Sequence, residues 1–307
     1  MQIQAPSAVV MIRPHYFRSN PETMADNAFQ KASPDDVADI ARAEFDHVVA
    51  TLREHGVTVH DFDDTGTDTP DSVFPNNWFS THGGGHVAVY PMYAANRRRE
   101  RRWDVIDMLK TQYRVQDVID YSGLEQDGLA LEGTGAMVLD HIGRVAYVAK
   151  SHRADPVLLE RFCTNFNFEP IAFSAADGLG RPVYHTNVLM AIGTSFALVG
   201  LDMITNPERR VTVAERLEET GRDVIALCEA QINAFAGNAI ELRGGTGAIL
   251  AISQCALEAL TDDQINRIAA HARIVPLSIP MIETAGGSVR CMIAGLHLAR
   301  RPAKDTK

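Results

Sequence analysis

The sequence predicts an α/β fold built from five similar units, arranged as a five-bladed α/β-propeller in a single domain that spans residues 1–307. Helical and strand-like periodicities alternate along the whole chain, which is typical of α/β proteins. No linker rich in Pro, Ser and Gly divides the chain. Short polar or glycine-rich signatures, each followed by an apolar run, recur five times at intervals of about 45–60 residues, as in arrayed repeats.

The individual elements follow from local patterns. Ser33 and Pro34 predict an N-cap with proline at the first helical position, and helical spacing of apolar residues continues until Gly56. Further helices are predicted over 97–113, over 155–165, over much of 211–233, and from Thr261 onward. Strands are predicted between the helices, at 57–62, 86–92, 144–150, 194–200 and 272–280.

Five segments carry the repeated pattern. They are NNWFSTH from Asn76, LEGTGAMVLD from Leu131, YHTNVLMAIG from Tyr184, LRGGTGAILAIS from Leu242 and SVRCMIAGLHL from Ser288. Glycine followed by apolar residues is also common in α/β proteins without repeats, so the pattern alone leaves that alternative open. The repeat is favoured because ββαβ-type units would bring an asparagine, a glutamate, a histidine and a cysteine together on one axis.

Composition excludes several classes of function. The chain has 307 residues, 46% of them hydrophobic and 22% charged, with a formal net charge of −10. Such an acidic balance argues against an extended nucleic-acid surface. The arginine-rich run at 97–102 is therefore interpreted as the solvated start of a helix. The sequence has no secretory leader and no apolar run long enough to span a membrane, which predicts a cytoplasmic protein. The expected partner is a small molecule, with neither a nucleic acid nor a membrane. A homo-oligomer is left open.

The four cysteines are Cys163, Cys228, Cys255 and Cys291. None belongs to a CxxC pair, so a thiolate zinc site is not expected. The first three are expected in the core, whereas Cys291 follows two glycines and Arg290, as a nucleophile approached closely by substrate would. The sequence contains no metal-ligand cluster, phosphate loop or dinucleotide fingerprint, so neither a metal nor a cofactor is predicted.

Two further residues complete a candidate thiol site. Glu132 stands alone between Leu131 and Gly133 at the entry to an apolar strand, and a carboxylate buried there needs a partner. His185, also just before a strand, is a suitable partner because a carboxylate fixes the imidazole tautomer. Eleven histidines dilute this signal, so an ordinary structural histidine is the alternative.

Taken together, RPHYFRSNPETMADNAFQ, PDSVFPNNWFST, LEGTGAM, YHTN and SVRCM resemble the guanidine-modifying enzymes of the pentein superfamily. This superfamily includes arginine deiminases, dimethylarginine hydrolases and amidinotransferases, and the likeness is greatest to the arginine deiminase-related branch with citrulline hydrolases. The resemblance covers almost the whole chain. It implies a five-bladed propeller with the site on its axis, Cys291 as nucleophile, His185 as acid and base, and Glu132 as the partner of His185.

The resemblance also implies residues that bind substrate. Asp71 matches an aspartate that contacts the amino-acid end, and Arg153 matches an arginine that holds the α-carboxylate, for which bidentate pairing gives a physical reason. A solvated position at the start of a helix is the alternative for Arg153. Where related enzymes carry carboxylates around a guanidinium, this sequence has Asn76, Asn77 and Asn187.

The three asparagines lead to a substrate hypothesis. A buried cation without a counter-charge is costly, whereas an amide both donates and accepts hydrogen bonds and suits a neutral ureido group. The sequence therefore predicts hydrolysis of citrulline to ornithine, ammonia and carbon dioxide through a covalent thioester-type intermediate. The alternatives are an arginine deiminase or dimethylarginine hydrolase, then an amidinotransferase, then a non-catalytic pentein binding protein.

Overall fold

A computed structural model describes residues 3–31 and 37–302, and the predicted N-cap at Ser33 and Pro34 lies outside these ranges. Strands β1 to β15 are, in order, Ala8–Pro14, Thr58–Asp64, Phe79–His82, His86–Val89, Asp117–Asp120, Met137–Asp140, Val145–Ala149, Glu169–Phe173, Met190–Ile192, Phe196–Val199, Asp223–Ala226, Ile240–Gly244, Gly247–Ser253, Arg273–Leu277 and Ala294–Gly295. Each of the five predicted strands overlaps one of these.

Helices α1 to α11 are, in order, Ala38–Glu54, Trp103–Gln112, Gly133–Ala136, Pro156–Phe166, Thr186–Leu189, Pro207–Glu218, Glu229–Asn233, Gln254–Ala259, Asp262–Ala269, Pro280–Glu283 and Val289–Met292. Short 3₁₀ helices cover Pro75–Asn77, Asn96–Glu100, Ser122–Asp127 and Leu201–Met203. In the part of the chain that the model describes, no helix is long and apolar enough to cross a membrane.

The strands form five separate three-stranded sheets, ordered β15-β1-β2, β3-β4-β5, β6-β7-β8, β9-β10-β11 and β12-β13-β14. In every sheet the middle strand pairs antiparallel with the first strand and parallel with the third. Helices lie between the middle and third strands, because a parallel connection needs a crossover. The α/β class and the recurrence of one unit five times therefore agree with the sequence.

Four of the five first strands are entered from a single helical turn, formed by Pro75–Asn77, α3, α5 and α11. The predicted register of the fourth unit was wrong. Its GTGA core at 245–248 lies in the hairpin between β12 and β13, where Gly244 pairs with Gly247, whereas the GTGA at 133–136 forms α3. The entry to β12 is instead occupied by Asn238. The same four residues adopt two structures because their neighbours differ. The second GTGA connects two strands that pair with each other, whereas the first precedes β6, whose antiparallel partner β7 comes later in the chain.

Two other expectations from the sequence were wrong. A single helix over much of 211–233 does not form, because Gly221 adopts φ +77 after α6 and the chain then enters β11 beside β10. Cys228 and Cys255 are exposed, and only Cys163 of the three lies in the core. The two exposed thiols lie at the starts of the short helices α7 and α8, where few residues cover them.

A buried ion pair ties the third sheet to the fourth. Asp140, at the end of β6, accepts hydrogen bonds from Arg222 Nη1 and Nη2 at 2.6 and 2.8 Å, and Arg222 Nε donates to the carbonyl of Gly193 at 2.8 Å. Both side chains are fully excluded from solvent. Asp140 also accepts from the backbone N–H groups of residues 142 and 143, so its carboxylate organises the turn as well.

Replacing Asp140 with alanine should lower the free energy of unfolding by about 3–5 kcal/mol, since Arg222 would be left as an uncompensated buried charge. Urea unfolding followed by circular dichroism measures the change. The matched control is Arg216→Ala, which breaks the exposed pairs with Glu169 and Glu219 and should cost less than about 1 kcal/mol. Equal losses in the two variants would show that burial of the pair does not determine its contribution.

Candidate active site

The single helical turns carry the predicted catalytic residues into one region. Cys291 lies in α11, His185 and Glu132 precede α5 and α3, and Asn77 ends the 3₁₀ turn before β3. A cavity of about 20 Å³ lies among them. Its lining consists of Thr23, Asn27, Asp71, Phe74, Asn77, Arg97, Arg153, Tyr184, His185, Ala285, Gly286, Gly287 and Cys291.

His185 and Glu132 form a buried hydrogen-bonded pair. His185 Nε2 lies 2.8 Å from Glu132 Oε2, and Glu132 Oε1 accepts from the backbone N–H of Tyr93 at 3.0 Å. Burial lowers the pKa of His185 to about 4 despite the adjacent carboxylate. Burial alone would raise the pKa of Glu132, but Arg153, His185 and Arg97 outweigh it and lower that pKa. The resting pair is therefore a carboxylate and a neutral imidazole that donates from Nε2.

The thiol of Cys291 is held by two amides. Asn187 Nδ2 and Asn238 Nδ2 each lie 3.2 Å from Cys291 Sγ and donate to it. Asn238 is fixed in turn, because its Nδ2 also donates to the carbonyl of Asn187 and its Oδ1 accepts from the backbone N–H of Arg290. Asn238 was missed from the sequence. If the fourth repeat is placed at the residues just before β12, Asn238 aligns with Asn77 and Asn187.

Three buried amide atoms have no partner among the described residues, and of the side chains that carry them Asn77 lines the cavity. Asn77 Nδ2 donates to Asn76 Oδ1 at 3.2 Å, which leaves Asn76 Nδ2 and Asn77 Oδ1 unsatisfied. Asn187 Oδ1 is also unsatisfied, and all three side chains are buried. Unpaired buried polar groups are costly in proteins, and their concentration here is typical of a site that a ligand completes.

Buried arginines and carboxylates also form part of the cavity wall. Arg153 forms two hydrogen bonds with Asp26, at 3.1 and 2.5 Å, and lies 3.5 Å from Glu132. Asp71 Oδ2 accepts from Asn20 at 2.7 Å, while its Oδ1 has no partner in the described part of the chain. The alternative that Arg153 is a solvated helix-start residue is excluded, because only 2% of it is exposed.

The interpretation of the run at 97–102 was wrong for two of its residues. Arg97 and Glu100 are buried in a 3₁₀ turn and form a bidentate pair with two distances of 2.9 Å. Arg97 also lies 3.6 Å from both Asp71 and Glu132, so it is part of the cavity wall. Only the remaining arginines of the run lie at the surface or at its edge. The sequence of the run does not indicate which of its residues are buried, because the burial of Arg97 depends on tertiary contacts with Asp71 and Glu132.

Two glycines let these elements approach one another. Gly133 adopts φ +45, and a Cβ there would lie 2.5 Å from the carbonyl oxygen of Asn76. A Cβ on Gly135 would overlap with Asn77 Oδ1 and lie 2.9 Å from His185 Nδ1. The LEGTGAM segment is therefore glycine-rich because the carboxylate, the imidazole and the amide meet across it.

No group of three or more His, Cys, Asp or Glu side chains in the described ranges could hold a metal ion.

Comparison with known proteins identifies the family. The model of eukaryotic N,N-dimethylarginine dimethylhydrolases matches residues 13–298, which is most of the chain. This chain belongs to that family. As a dimethylarginine dimethylhydrolase family member it is part of the pentein superfamily of arginine-modifying enzymes, and it is a hydrolase of carbon–nitrogen bonds other than peptide bonds. No curated protein sequence matches the chain.

Several solved structures resemble this chain over nearly its whole length. The N-terminal domain of ArgZ, crystallised with a covalently bound reaction intermediate, has a TM-score of 0.74 at 16% identity, covering 94% of this chain and 97% of that one. ArgZ is an arginine dihydrolase from cyanobacteria. Unliganded AgrE gives 0.72 at 17% identity, covering 97% of this chain and 40% of that one.

A dimethylarginine dimethylaminohydrolase bound to S-methyl-L-thiocitrulline gives a TM-score of 0.64 at 13% identity, covering 96% of this chain and all of that one. These identities are low, so the three structures establish the common fold and leave the substrate of this family member to be argued from its own residues.

The imidazole of His185 should remain neutral throughout the neutral pH range, with a pKa near 4 that is well below the ordinary value of 6.5, because burial outweighs the attraction of Glu132. Nitrogen-15 NMR of the histidine side chains measures this, with His185→Gln to assign the resonance. Titration near or above 6.5 would instead indicate an imidazolium–carboxylate ion pair at rest.

Gly135→Ala should reduce turnover by about a hundredfold or more while preserving the fold, since the new methyl group displaces both Asn77 and His185. Gly123→Ala is the matched control, because a Cβ at Gly123 meets nothing within 4 Å. Steady-state kinetics and thermal unfolding of both variants provide the measurement. Normal activity in Gly135→Ala would show that these two side chains do not need their observed positions.

Proposed function

We propose that the chain is a cysteine-dependent hydrolase that converts citrulline to ornithine, ammonia and carbon dioxide. The observation that carries the proposal is the set of neutral amides around Cys291, since Asn77 lines the same cavity and Asn187 donates to its sulfur. Asn76, Asn77 and Asn187 leave two acceptor oxygens and one donor nitrogen unpaired in the part of the chain described. A ureido group offers N–H donors to the oxygens and a carbonyl to the donor, and it brings no charge that needs a buried counter-ion.

The amino-acid end of the substrate fits the charged wall. Arg153 and Arg97 are buried arginines whose guanidinium groups suit an α-carboxylate, and Asp71 Oδ1 is free among the described residues to accept from an α-ammonium group. In this structure Asp26 accepts hydrogen bonds from Arg153. The α-carboxylate would replace Asp26, so the segment that carries Asp26 has to shift as substrate enters. A cavity of about 20 Å³ requires the same shift, because it has room for one or two water molecules only.

The first chemical step forms a bond between Cys291 Sγ and the ureido carbon. His185 takes the thiol proton on Nδ1, while Glu132 stabilises the imidazolium that results through its hydrogen bond to Nε2. The amides of Asn187 and Asn238 already donate to sulfur, so they stabilise the thiolate before it attacks. His185 then returns the proton to the departing nitrogen, and a thioester-type intermediate remains on Cys291.

The second step is hydrolysis of this intermediate. Neutral His185 removes a proton from water, hydroxide adds to the thioester carbon, and the thiolate leaves. The product of hydrolysis is a carbamic acid, which loses carbon dioxide and thereby releases the second nitrogen as an amine. With one water consumed, citrulline yields ornithine, ammonia and carbon dioxide in either order of release. The same base serves both steps, because a pKa of about 4 keeps Nδ1 unprotonated at rest and His185 gives up its proton again before the second step.

Arginine is the second candidate substrate. ArgZ, which has this fold, is described as an arginine dihydrolase, so a guanidino group reacting twice at one cysteine is chemically consistent with the site. A dimethylarginine substrate is consistent with the family to which the chain belongs. Both would place a cation beside the neutral amides. Glu132 is already bound to His185, and Asp71, which lines the cavity, is assigned above to the α-ammonium group. The neutral substrate therefore fits the observed lining better.

We further propose that the five sheets close into a propeller around one axis, and that residues 1–307 form one catalytic domain. Contacts between the first strands of successive sheets support closure, for β6 contacts β9, β9 contacts β12, and β15 contacts β3. A cytoplasmic location and a homo-oligomeric state remain predictions.

Purified protein should release ornithine from citrulline and should turn over arginine at least about a hundredfold less efficiently, since a buried cation without a counter-charge costs several kcal/mol. Chromatographic detection of ornithine, ammonia and citrulline measures both reactions, without an added acceptor amine, which an amidinotransferase would need. Cys291→Ala is the control and should be inactive and folded. Efficient arginine turnover with no reaction of citrulline would overturn the substrate proposal while leaving the family and fold unaffected.

Asn77→Asp should shift the preference toward arginine by about tenfold or more, because a carboxylate replaces an unpaired amide oxygen beside the reacting group. The ratio of kcat/KM for arginine over citrulline is the quantity to compare with that of the unmodified enzyme. The matched control is Asn165→Asp, which lies at the surface beside Tyr121 and should leave the ratio unchanged. An unchanged ratio in Asn77→Asp would show that Asn77 does not contact the ureido or guanidino group of the substrate.

A further inference from the structure

The turn between α7 and β12, here called the Asn238 turn and comprising residues 234–239, has a strained backbone. Phe235 adopts φ +63, and it is the one aromatic residue with a positive φ in the part of the chain that the structure describes. Bulky residues rarely adopt this left-handed conformation because it costs free energy, and such residues concentrate at functional sites. The carbonyl of Phe235 accepts a hydrogen bond from the backbone N–H of Asn238 at 2.8 Å.

The Asn238 turn packs closely against α5, the helical turn that contains Asn187. Gly237 permits this approach, because a Cβ there would lie 2.5 Å from the carbonyl oxygen of Val188. The buried ring of Phe235 packs on Phe29, with ring centroids 5.4 Å apart. Contacts with α5 and with Phe29 therefore hold the Asn238 turn in place.

The side-chain amide of Asn238 has one possible orientation. It is fully buried, its Nδ2 donates to the carbonyl of Asn187 at 2.9 Å, and its Oδ1 accepts from the backbone N–H of Arg290 at 3.1 Å. The reverse orientation would place an oxygen against a carbonyl and a nitrogen against an N–H group. The donor end of this amide therefore faces Cys291 Sγ, 3.2 Å away.

The amide of Asn187 is held less completely. Its Nδ2 also donates to Cys291 Sγ at 3.2 Å, but its Oδ1 has no partner among the described residues. No hydrogen bond to Oδ1 thus opposes a rotation of this amide. The two asparagines that contact the sulfur differ in this respect, although they are the same residue type.

We propose that Asn238 is the catalytic residue that stays hydrogen-bonded to the sulfur of Cys291 in both steps of the reaction, while Asn187 is free to leave the sulfur when substrate binds. The inference rests on the proposed role of Cys291 as nucleophile and does not depend on which substrate is hydrolysed. Sulfur is negatively charged before it attacks the substrate carbon and again when it leaves the thioester. A fixed donor favours the thiolate at both points, because hydrogen bonds to charged acceptors are the stronger ones.

Other charged and titratable groups also surround the sulfur. Arg290 precedes Cys291 in the chain and interacts with it electrostatically. Glu283 accepts a hydrogen bond from Ser288 at the start of α11. The remaining groups line the catalytic cavity together with Cys291, and they are His185, Tyr184, Arg97, Arg153 and Asp71. Substitution of Asn238 leaves all of these groups in place, so it isolates the contribution of one amide.

Ultraviolet absorbance of the thiolate tests the proposal, measured over a range of pH as the difference between the enzyme and its Cys291→Ala variant. Asn238→Leu preserves the approximate shape of the side chain and removes the donor. The ratio of thiolate to thiol at a given pH should fall by roughly ten- to hundredfold, as expected for one hydrogen bond to a charged group. Turnover at neutral pH should fall by a similar factor, and the loss should diminish at higher pH, where the thiolate forms without the amide.

Three comparisons make the result specific. Asn233→Leu, at the exposed end of α7, should leave the ratio unchanged. Asn187→Leu should lower it less than Asn238→Leu does. Phe235→Gly and Phe235→Val both remove the ring, but only glycine adopts φ +63 without strain, so the ratio should be kept in the first and lowered in the second. Circular dichroism verifies that each variant is folded.

The proposal is overturned if Asn238→Leu keeps the thiolate ratio of the unmodified enzyme, if Asn233→Leu lowers the ratio as much, if Asn187→Leu lowers it more, or if Phe235→Val leaves it unchanged. The absorbance is measured without substrate, so failure of this proposal is distinct from failure of the citrulline assignment. Absence of any thiolate signal from Cys291 would overturn the proposal together with the thiolate mechanism on which it rests.

Discussion

The hydrogen bond between Glu132 and His185 is the contact on which the catalytic cavity depends. Both groups are buried, so neither the carboxylate nor the imidazole could remain there alone without a large desolvation cost. Arg97 and Arg153 lie 3.6 and 3.5 Å from Glu132 and keep it ionised, while burial keeps His185 neutral. The pair thereby fixes which imidazole nitrogen can accept a proton, and Gly135 leaves room for that nitrogen, since a Cβ there would lie 2.9 Å from it.

Charged and neutral polar side chains both surround this pair. Arg97, Arg153 and Asp71 line the cavity together with Asn77 and Cys291, and all five are buried. Asn187 and Asn238 donate to sulfur, whereas Asn76 and Asn77 retain unpaired atoms. In the function proposed above, these neutral amides are what would distinguish a ureido from a guanidino head.

The fold class and most of the candidate site could be predicted from the sequence because the repeated turns are local. Each turn places one polar residue just before a first strand, so recognising the pattern brought together Glu132, His185 and Cys291. Asn238 and Arg97 could not be found in this way. Asn238 was hidden because the second GTGA shifted the fourth repeat out of register, and Arg97 because its burial depends on packing against Asp71 and Glu132. Local pattern carries no information about such tertiary contacts.

The proposed chemistry depends most directly on whether the substrate carbon becomes bonded to Cys291. Enzyme mixed with citrulline labelled at the ureido carbon is quenched with acid during turnover, digested, and analysed by mass spectrometry. We expect the peptide containing Cys291 to gain the label, with a mass increase of a carbamoyl group if ornithine departs first, or of citrulline less ammonia if ammonia departs first. Turnover without label on this peptide, or label on Cys163, Cys228 or Cys255 instead, would rule out Cys291 as the nucleophile.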